Sequence, residues 1–311
     1  MTRAVAIVEP GGPEVLRVVE RDVREPAPGE VRLAVRAAAV NPTDIALRRR
    51  GDAEIPPPWI PGMDAAGTVE SVGAGVERLA VGDRVMAAVT PRRAEGGAQS
   101  ELLLAPAASV VPIPVGATLE QAATLPMNGL TALRGLELLD LPPGATLAVT
   151  GGAGLLASYV IPIAKLRGLR VLADAGPADD ELVRGFGADV VLPRGAELPA
   201  AIRAAAPGGV DGVFDTAVLG RTVLPAIRTS GALAFVRKWD GDDVENGITI
   251  HRVLVREVLE RTDWLRELSE LAARGVLALR VATVFPPERC PDAHRRMEAG
   301  GLRGRAVIVF D

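Results

Sequence analysis

A short apolar strand, a glycine-rich turn and an apolar helix follow one another near the middle of this chain. They occupy residues 147–157, with the sequence LAVTGGAGLLA, in which Gly152-x-Gly154-x-x-Ala157 fits the spacing G-x-G-x-x-G/A. In that pattern the glycines make a tight turn that an anion can approach, and the small third residue lets helix and strand pack closely. The segment predicts a dinucleotide-binding turn, with a purely structural turn as the alternative.

The residues after this turn alternate between strand and helix patterns. The predicted strands are 169–173, 189–192, 212–215 and 232–236, and the predicted helices are 181–185, 200–206 and 223–229. Such alternation with short loops predicts an α/β fold with a Rossmann-type, doubly wound parallel sheet. Asp174 lies about twenty residues after the glycines, where a dinucleotide fold places a carboxylate on the ribose hydroxyls. A plain α/β core without a nucleotide is the alternative.

The first 120 residues have a different pattern, with short strands separated by Pro-Gly, Gly-Gly and Gly-Asp pairs. This pattern predicts a mostly antiparallel β domain. The last strand, predicted at 306–310, must pair with a neighbour, and the β domain is the natural place. We therefore predict one domain from residues 1–120 and 265–311, and a nucleotide-binding domain at 121–264.

Composition excludes several classes of protein. The chain has 311 residues and a net charge of −4, and its short basic run Arg48-Arg49-Arg50 is interpreted as a solvated helix face, so we expect no nucleic-acid partner. No apolar stretch is long enough to cross a bilayer, and the first residues read as a strand. A single cysteine, Cys290, is compatible with a reducing compartment. We expect a cytoplasmic protein that acts on a small molecule away from membranes.

A series of short motifs in this order carries a family resemblance over nearly the whole length. They are GGPEVL at 11–16, PGEV at 28–31, AVNPTD at 39–44, PGMDAAG at 61–67, VGDRV at 81–85, LPMNGLTA at 125–132, FDT at 214–216 and GLRGR at 301–305. With these motifs the chain resembles a medium-chain dehydrogenase/reductase of the zinc-independent quinone oxidoreductase branch. The resemblance implies a GroES-like β domain beside the Rossmann-type domain.

The resemblance argues against a zinc site. Zinc-dependent relatives carry Gly-His-Glu where this chain has Gly62-Met63-Asp64, and they use cysteine ligands. One cysteine and two histidines, His251 and His294, cannot supply either of the family's zinc sites. We interpret both histidines as surface or packing residues and expect no bound metal.

The family's chemistry implies reduction of an activated C=C bond or a quinone by NADPH or NADH. The resemblance places Asn41, Asn128 and Thr131 around the nicotinamide, with Asn41 and Thr131 as candidate catalytic residues. Asn41 could instead cap its turn, and Thr131 could simply pack its helix.

The remaining candidates follow from topology and resemblance. Nucleotides bind at the carboxyl ends of parallel strands, which predicts a cofactor contact for Gly152, Ala153, Gly154, Leu155, Leu156, Asp174, Ala175, Thr216, Ala217, Phe235 and Val236. Resemblance adds Arg303 near the cofactor phosphates, with a surface role as the alternative. Candidate walls of the substrate cleft are Trp59, Met63 and Trp239, each of which could also be ordinary core.

Several departures from the family pattern leave alternatives open. Leu155 is bulky beside the expected diphosphate, and Pro162 falls inside the following helix, where a proline costs about 3 kcal/mol or forces a kink. Ala46 stands where relatives have a candidate proton donor. The Asp174 carboxylate favours binding of NADH, whereas members of the family usually use NADPH. Arg194 could compensate for the charge of Asp174 and so allow NADPH to bind.

These departures support an alternative function, a repurposed non-redox catalyst such as a cyclase on the same fold; a non-catalytic nucleotide- or partner-binding protein is a third hypothesis. We also expect a homodimer, because the alternating segment Ile248 to Leu254 reads as an exposed edge strand that a second copy would pair.

Overall fold

The computed structural model describes residues 1–237 and 239–311. Its strands are β1 (Thr2–Ile7), β2 (Leu16–Arg21), β3 (Glu30–Ala39), β4 (Asp64–Val72), β5 (Arg84–Ala88), β6 (Leu102–Pro106), β7 (Val110–Pro112), β8 (Thr146–Thr150), β9 (Arg170–Ala175), β10 (Val190–Pro193), β11 (Val210–Asp215), β12 (Ile227–Phe235), β13 (Val244–Glu245), β14 (Ile248–Arg252), β15 (Val281–Phe285) and β16 (Arg305–Val309).

The α-helices are α1 (Pro42–Arg50), α2 (Leu119–Ala122), α3 (Pro126–Leu139), α4 (Ala157–Leu166), α5 (Asp180–Gly185), α6 (Leu198–Ala205), α7 (Thr262–Ala273) and α8 (Cys290–Glu298). Short 3-10 segments occupy Pro13–Val15, Ala107–Ser109, Pro177–Asp179, Gly220–Ala226, Val255–Glu257 and Pro287–Arg289. Within the described residues, no helix combines the length and the hydropathy that a membrane crossing requires.

The chain divides into two compact units. The first comprises residues 1–127 and 256–311, and the second comprises residues 128–255. The predicted boundaries, after residues 120 and 264, differ from these by seven and nine residues, since 127 − 120 = 7 and 264 − 255 = 9. The first junction falls just after the start of α3 at Pro126, rather than within α2, because α2 packs on β3, β4 and β5 of the first unit.

The second unit is built on a twisted sheet in the order β10-β9-β8-β11-β12-β14-β13. Every neighbouring pair from β10 to β14 is parallel, which gives a doubly wound sheet. The order in which strands are added to the sheet reverses between β8 and β11, since β9 and β10 lie on one side of β8 and β11 and β12 on the other. These two neighbouring strands are paired through Leu147 with Gly212 and Thr150 with Asp215. The carboxyl ends of strands at such a switch point are where nucleotides bind in open α/β sheets.

Two sequence-based predictions in this unit are wrong. Residues 223–229 do not form an α-helix, because a 3-10 segment ends at Ala226 and β12 begins at Ile227. Pro225 lies inside that segment and has no backbone N–H, and the β-branched residues that follow favour a strand. The segment beginning at Ile248 is likewise not the sheet edge, because β13 pairs with β14 antiparallel on its outer side.

The first unit contains a mostly antiparallel sheet in the order β15-β16-β3-β4-β5-β7, with β6 also paired to β3, and a separate β1–β2 pair. The last strand, β16, lies between β15 and β3 and so completes this sheet from the C-terminal end of the chain. Its core includes Val5, Leu33, Val85, Leu103 and Ile308, each at most 1% exposed.

The basic run at the end of α1 is not a uniformly solvated face, as the sequence suggested. Arg48 is 1% exposed, whereas Arg49 and Arg50 are exposed. The Arg48 guanidinium donates to the Gly11 carbonyl and to Glu298 Oε1 at 2.7 Å, and it lies 3.2 Å from His294 Nδ1. These contacts fix α1 against α8, so that the buried arginine is a packing element of the fold.

Candidate active site

The glycine turn follows β8 at the switch point of the parallel sheet. Gly151 has a φ of +67°, a conformation that favours glycine. The Gly154 N–H donates to the Gly151 carbonyl at 2.8 Å, which closes the turn, and α4 begins at Ala157. A Cβ at Gly152 would lie 2.7 Å from the Asp174 carbonyl oxygen, so only glycine fits where the turn passes β9. The fingerprint residues therefore form the predicted turn.

The start of α4 leaves backbone N–H groups available. Within residues 1–237 and 239–311, the N–H groups of Leu155 and Leu156 have no backbone or side-chain acceptor. A Cβ at Gly154 would have a single neighbour, the Gly151 carbonyl oxygen at 3.1 Å, so the side of the turn at this residue is open. Unpaired N–H groups at a helix start, beside an open glycine turn, can hold a phosphate.

The Asp174 carboxylate points towards the glycine turn. It lies inside β9, which continues to Ala175, and it is 3% exposed. Its Oδ1 accepts the Gly151 N–H at 2.5 Å, and its carbonyl accepts the Gly152 N–H at 3.0 Å. Burial raises the pKa of Asp174, while the Gly151 bond and the nearby charge of Arg194 lower it. The carboxylate therefore stabilises the turn directly.

The loop after β11 lies against the same turn. Asp215 is fully buried, and its Oδ1 accepts the Thr150 hydroxyl at 2.5 Å. The Thr150 hydroxyl oxygen accepts the Ala217 N–H at 3.0 Å, and the Thr216 hydroxyl donates to the Thr150 carbonyl at 2.5 Å. A Cβ at Gly151 would lie 3.2 Å from Ala217 Cβ. These bonds bring Thr216 and Ala217 to the glycine turn, as predicted from topology.

Val218, next in this loop, has a φ of +62° and is 39% exposed. A β-branched side chain seldom adopts this left-handed conformation, which costs about 1–3 kcal/mol. The strained residue lies in the loop that contacts the glycine turn, and strain of this kind concentrates at ligand-binding loops.

The departures noted in α4 do not interrupt it. The helix runs from Ala157 to Leu166 with Pro162 inside it, and Tyr159 is fully buried. The Leu155 side chain is buried at 3% exposed, and the Leu155 carbonyl accepts the Ser158 hydroxyl at 2.7 Å. The bulky Leu155 side chain is therefore accommodated in the interior of the protein.

In the first unit, Asn41 lies at the centre of a buried polar network. Its Nδ2 donates to Asp64 Oδ2 at 2.6 Å, and its Oδ1 accepts Arg305 Nε at 2.9 Å. Asp64 Oδ1 accepts the Met127 N–H at the start of α3, at 2.6 Å. Asn41 and Asp64 are both fully buried. The two partners fix which end of the Asn41 amide is oxygen and which is nitrogen.

Asp44 forms the second half of this network. Its carboxylate accepts the N–H groups of Asn41 at 2.7 Å and Gly62 at 2.9 Å, and it lies 3.4 Å from Gln99 Nε2. Asn41 thus begins α1 as its N-cap in a capping box with Asp44, and its amide also bonds to Asp64 and Arg305. Burial raises the pKa of Asp44 to about 7 and that of Asp64 to about 6, although both carboxylates accept N–H groups.

Sequence reasoning missed the residues that hold Asn41. Asp44 and Asp64 stand in the quoted motifs, and Arg305 ends the tail motif, but only Arg303 was predicted there. Arg303 is exposed, whereas Arg305 contacts Asn41. The available signal was one acid in each of two quoted motifs, Asp44 in AVNPTD and Asp64 in PGMDAAG, since a buried acid needs a partner.

The other predicted residues are distributed over both units. Asn128 and Thr131 lie on α3 and are 2% and 6% exposed. Met63 and Trp59 are buried in the first unit, where the Trp59 indole N–H donates to the Ile55 carbonyl at 2.7 Å.

In the second unit, Trp239 packs edge-on against Phe235, with ring centroids 5.2 Å apart, and its N–H donates to the Asp242 carbonyl. Ala153 and Ala175 lie on the glycine turn and at the end of β9, and Val236 directly follows β12. Contacts with cofactor or substrate remain predictions for these residues.

The residues considered as metal ligands have other contacts. Cys290 is buried, with Gln99 Oε1 3.9 Å from its sulfur, and burial raises its pKa. His294 is buried against Arg48, and burial lowers its pKa to about 3. His251 is partly buried on β14. Over the part of the chain that the structure describes, no three His, Cys, Asp or Glu side chains are grouped so that they could hold a metal ion.

Comparisons with known proteins agree with this architecture. A sequence model of the alcohol dehydrogenase GroES-like domain matches residues 27–115, and one named zinc-binding dehydrogenase matches residues 186–308. An alcohol dehydrogenase of Schizosaccharomyces pombe is 30% identical over 96% of this chain and 95% of its own length. The mycobacterial protein Rv1454c, solved with NADPH, is 28% identical, with a TM-score of 0.85 over the full length of both chains.

Other relatives are matched over part of their length. A chloroplast envelope quinone oxidoreductase homologue of Arabidopsis thaliana is 34% identical over 60% of each chain. The trans-enoyl reductase tazE of Aspergillus terreus is 34% identical over 61% of this chain and 67% of its own. The chain spans 8% of the length of a Streptomyces venezuelae pikromycin polyketide synthase component, to which it is 29% identical over 91% of its residues.

The parallel sheet, its glycine turn and the antiparallel β unit define the architecture of a dinucleotide-binding protein. The chain belongs to the medium-chain dehydrogenase/reductase superfamily, in its quinone oxidoreductase-like branch. This confirms the predicted fold class, the predicted family and the general class of NAD(P)H-dependent oxidoreductase.

Proposed function

We propose that the protein uses a nicotinamide dinucleotide to reduce an activated C=C bond or a quinone. The observation that carries this proposal is the pair of unpaired N–H groups of Leu155 and Leu156 beside the open side of Gly154. A diphosphate fits this arrangement because it needs backbone donors and close approach to a glycine. The relatives that act on quinones and enoyl groups support the same chemistry.

The residues of the second unit would hold the cofactor. The turn from Gly152 to Leu156 would bind the diphosphate, with Thr216 and Ala217 alongside it. Asp174 would act by holding the turn through the Gly151 N–H. Phe235, Val236 and Ala175, at or just beyond the carboxyl ends of β12 and β9, would contact the remainder of the dinucleotide.

Within the second unit, Arg194 favours NADPH over NADH. Its backbone N–H donates to the Ala175 carbonyl at 3.1 Å, its side chain is exposed, and its charge lowers the pKa of Asp174. Within the described residues, no acceptor is found for the Arg194 guanidinium, so it is available to pair with a 2′-phosphate. The NADPH complex of the mycobacterial neighbour supports this choice, which differs from the preference for NADH inferred from Asp174 alone.

The bound nicotinamide supplies the hydride, and this chain's residues must orient the reactants and stabilise charge. Asn41 and Thr131 are the proposed catalytic residues, and Asn128 is a further proposed cofactor contact. Asp64 and Arg305 orient the Asn41 amide without contacting the substrate themselves. A fixed amide donor can stabilise negative charge that develops on a substrate oxygen, because it needs no reorganisation during the reaction.

We propose that the reaction needs no zinc. Met63 stands where the zinc-dependent relatives have histidine, and a thioether next to Asp64 does not provide a zinc-ligand set. We expect the purified protein to keep its activity after treatment with a chelator, with total zinc measured by atomic absorption before and after. Activity that follows zinc content would refute this part of the proposal.

The experiment that tests the proposal is a steady-state assay of NADPH and NADH oxidation with a panel of enones and quinones. We expect saturable cofactor oxidation with at least one substrate, with a cofactor KM between ~1 μM and ~1 mM. Thr131→Val, which removes a hydroxyl at similar volume, should lower kcat more than it raises the KM for cofactor. Tight cofactor binding with no oxidation across the panel would favour a non-catalytic role, and no binding would favour a non-redox catalyst.

We further propose a cytoplasmic homodimer that binds a small molecule and no nucleic acid. Support comes from the exposed Val244 at the outer strand of the second unit's sheet, 58% exposed, and from the acidic net charge of −4. Light scattering of the purified chain should give twice the chain mass, and Val244→Lys should shift it towards the monomer. A monomeric mass at all concentrations would refute the dimer.

A further inference from the structure

A cavity of about 510 Å³ lies within the first unit, apart from the Asn41 network. It opens to solvent and is bordered by the end of β2, the segment 54–60 and the segment 91–96. Its volume is in the range of small-molecule sites, about 300–1,000 Å³. All its lining residues belong to the first unit, so the cavity is complete without the glycine turn or a nucleotide.

The wall of this cavity is mainly apolar. Val19, Ile55, Trp59 and Ile60 line it together with prolines of the two segments. Trp59 is 6% exposed, and its indole N–H is already used by the Ile55 carbonyl at 2.7 Å. The Trp59 ring is therefore held in place and offers carbon surface to an occupant.

Two arginines line the same cavity. Arg21 Nη1 donates to the Glu95 carbonyl at 2.8 Å, and Arg93 donates from Nε to the Gly96 carbonyl at 2.9 Å and from Nη2 to the Leu104 carbonyl. Burial lowers the pKa of both guanidinium groups, and Arg21 lowers that of Arg93 further. Two like charges are thus held near each other with reduced solvation.

The two guanidinium groups keep N–H donors for a ligand. Within residues 1–237 and 239–311, Nε and Nη2 of Arg21 and Nη1 of Arg93 have no acceptor, and none of them is sealed from solvent. The Glu95 carboxylate, which partly balances them, is itself bonded to Arg24 at 2.7 Å.

Glu20 and Glu54 also line the cavity, and both side chains are exposed. They place acidic charge on the solvent side, so an anion would have to bind at the arginines and extend along the apolar wall. Guanidinium groups bind carboxylates by charge-assisted pairs of hydrogen bonds.

We propose that this cavity binds a small monocarboxylate with an apolar tail, with the carboxylate on Arg21 and Arg93 and the tail against Trp59, Ile55 and Ile60. This assignment makes Trp59 a wall of the carboxylate site instead of the substrate cleft, so the site is additional to the proposed hydride-transfer function and does not depend on it. An uncharged alcohol would lack the charge that the two arginines require, and a small inorganic anion would lack the tail that the apolar wall requires.

Calorimetric titration of the nucleotide-free protein with sodium octanoate tests the proposal, with octanol and octylamine as matched probes. We expect saturable binding of octanoate, at least about tenfold tighter than octanol, with no binding of octylamine. The fluorescence of Trp59 should change on binding, and this change should disappear in Trp59→Phe while the binding heat remains.

Arg21→Gln should weaken octanoate binding about tenfold or more, whereas Arg21→Lys, which keeps the charge, should retain most of it. Arg17→Gln is the matched control, because Arg17 lies on the same strand but outside the cavity lining. The proposal would be overturned by octanol binding as tightly as octanoate, by Arg21→Gln binding like Arg17→Gln, or by no octanoate binding at millimolar concentration.

Discussion

The Asn41 amide nitrogen lies 2.6 Å from Oδ2 of Asp64, and both residues are fully buried. Asp64 also accepts the Met127 N–H at the start of α3, so a single carboxylate holds the candidate catalytic amide and a helix terminus. A buried donor that loses its acceptor bears the full cost of desolvation. Asp64 therefore holds the Asn41 amide in its orientation together with Arg305.

Asp64→Ala should lower the free energy of unfolding by about 2–4 kcal/mol, because it removes an acceptor from two buried donors, the Asn41 amide and the Met127 N–H. Urea denaturation of the full chain measures this change. Asp22→Asn is the control, since Asp22 is an exposed acid whose ion pair with the N-terminus is 3.7 Å long, and it should change stability by less than ~0.5 kcal/mol. Equal effects of the two substitutions would show that the Asn41–Asp64 bond contributes nothing.

The stability should depend on pH through Asp44, because burial raises its pKa from 3.8 to about 7. Between these values the folded state holds a proton that the unfolded state has lost, so this residue's contribution to stability falls as pH rises from about 4 to 7. Asp44→Asn removes this titration. The difference in unfolding free energy, variant minus wild type, should therefore grow from pH 5 to pH 8 by ~2 kcal/mol.

Denaturation of both proteins at several pH values measures that difference. Asp83→Asn is a suitable control, because Asp83 is only partly buried and caps a turn by accepting the Ala80 N–H. A difference between wild type and Asp44→Asn that stays constant over this pH range would contradict a raised pKa at Asp44.

Gly154→Ala should weaken cofactor binding with little loss of stability. The new Cβ would lie 3.1 Å from the Gly151 carbonyl oxygen, on the open side of the turn where the diphosphate is expected. We expect the dissociation constant for NADPH to rise about tenfold, by fluorescence titration. Gly185→Ala is the control, because a Cβ there meets no heavy atom within 4 Å, and it should bind NADPH like the wild type.

Arg194→Gln should reduce the affinity for NADPH about tenfold and leave that for NADH nearly unchanged, because only NADPH carries the 2′-phosphate. The ratio of the two dissociation constants is the measured quantity. Arg167→Gln is the matched control, because it removes the same charge from an exposed arginine at the end of α4. If Asp174→Ser changes the ratio of the two dissociation constants and Arg194→Gln does not, then Asp174 sets the cofactor preference, as the sequence predicted.

The sequence predicted the elements that depend on local pattern. The glycine spacing located the turn after β8, and the alternating pattern located β9, β10 and β11 to within one or two residues. It failed at 223–229, where apolar spacing resembled a helix but Pro225 and the following β-branched residues formed a strand. Periodicity in a short segment does not separate these outcomes.

The site was harder to predict, because its geometry depends on contacts that are distant in sequence. Arg305 reaches Asn41 across 264 positions, and no local pattern distinguishes it from the exposed Arg303. Asp174 was recognised by its distance from the glycines, yet the direction of its carboxylate depends on the path of the turn. Such pairings arise from strand order, which only the folded chain reveals.

The proposed function requires that a dinucleotide diphosphate binds at the turn between Gly151 and Leu156. Isothermal titration of the wild-type chain with NADPH, repeated with Gly154→Val, tests it most directly. We predict saturable binding with a dissociation constant below ~1 mM for the wild type and at least about tenfold weaker binding for the variant. Absence of binding at millimolar NADPH, or equal binding by both proteins, would contradict it.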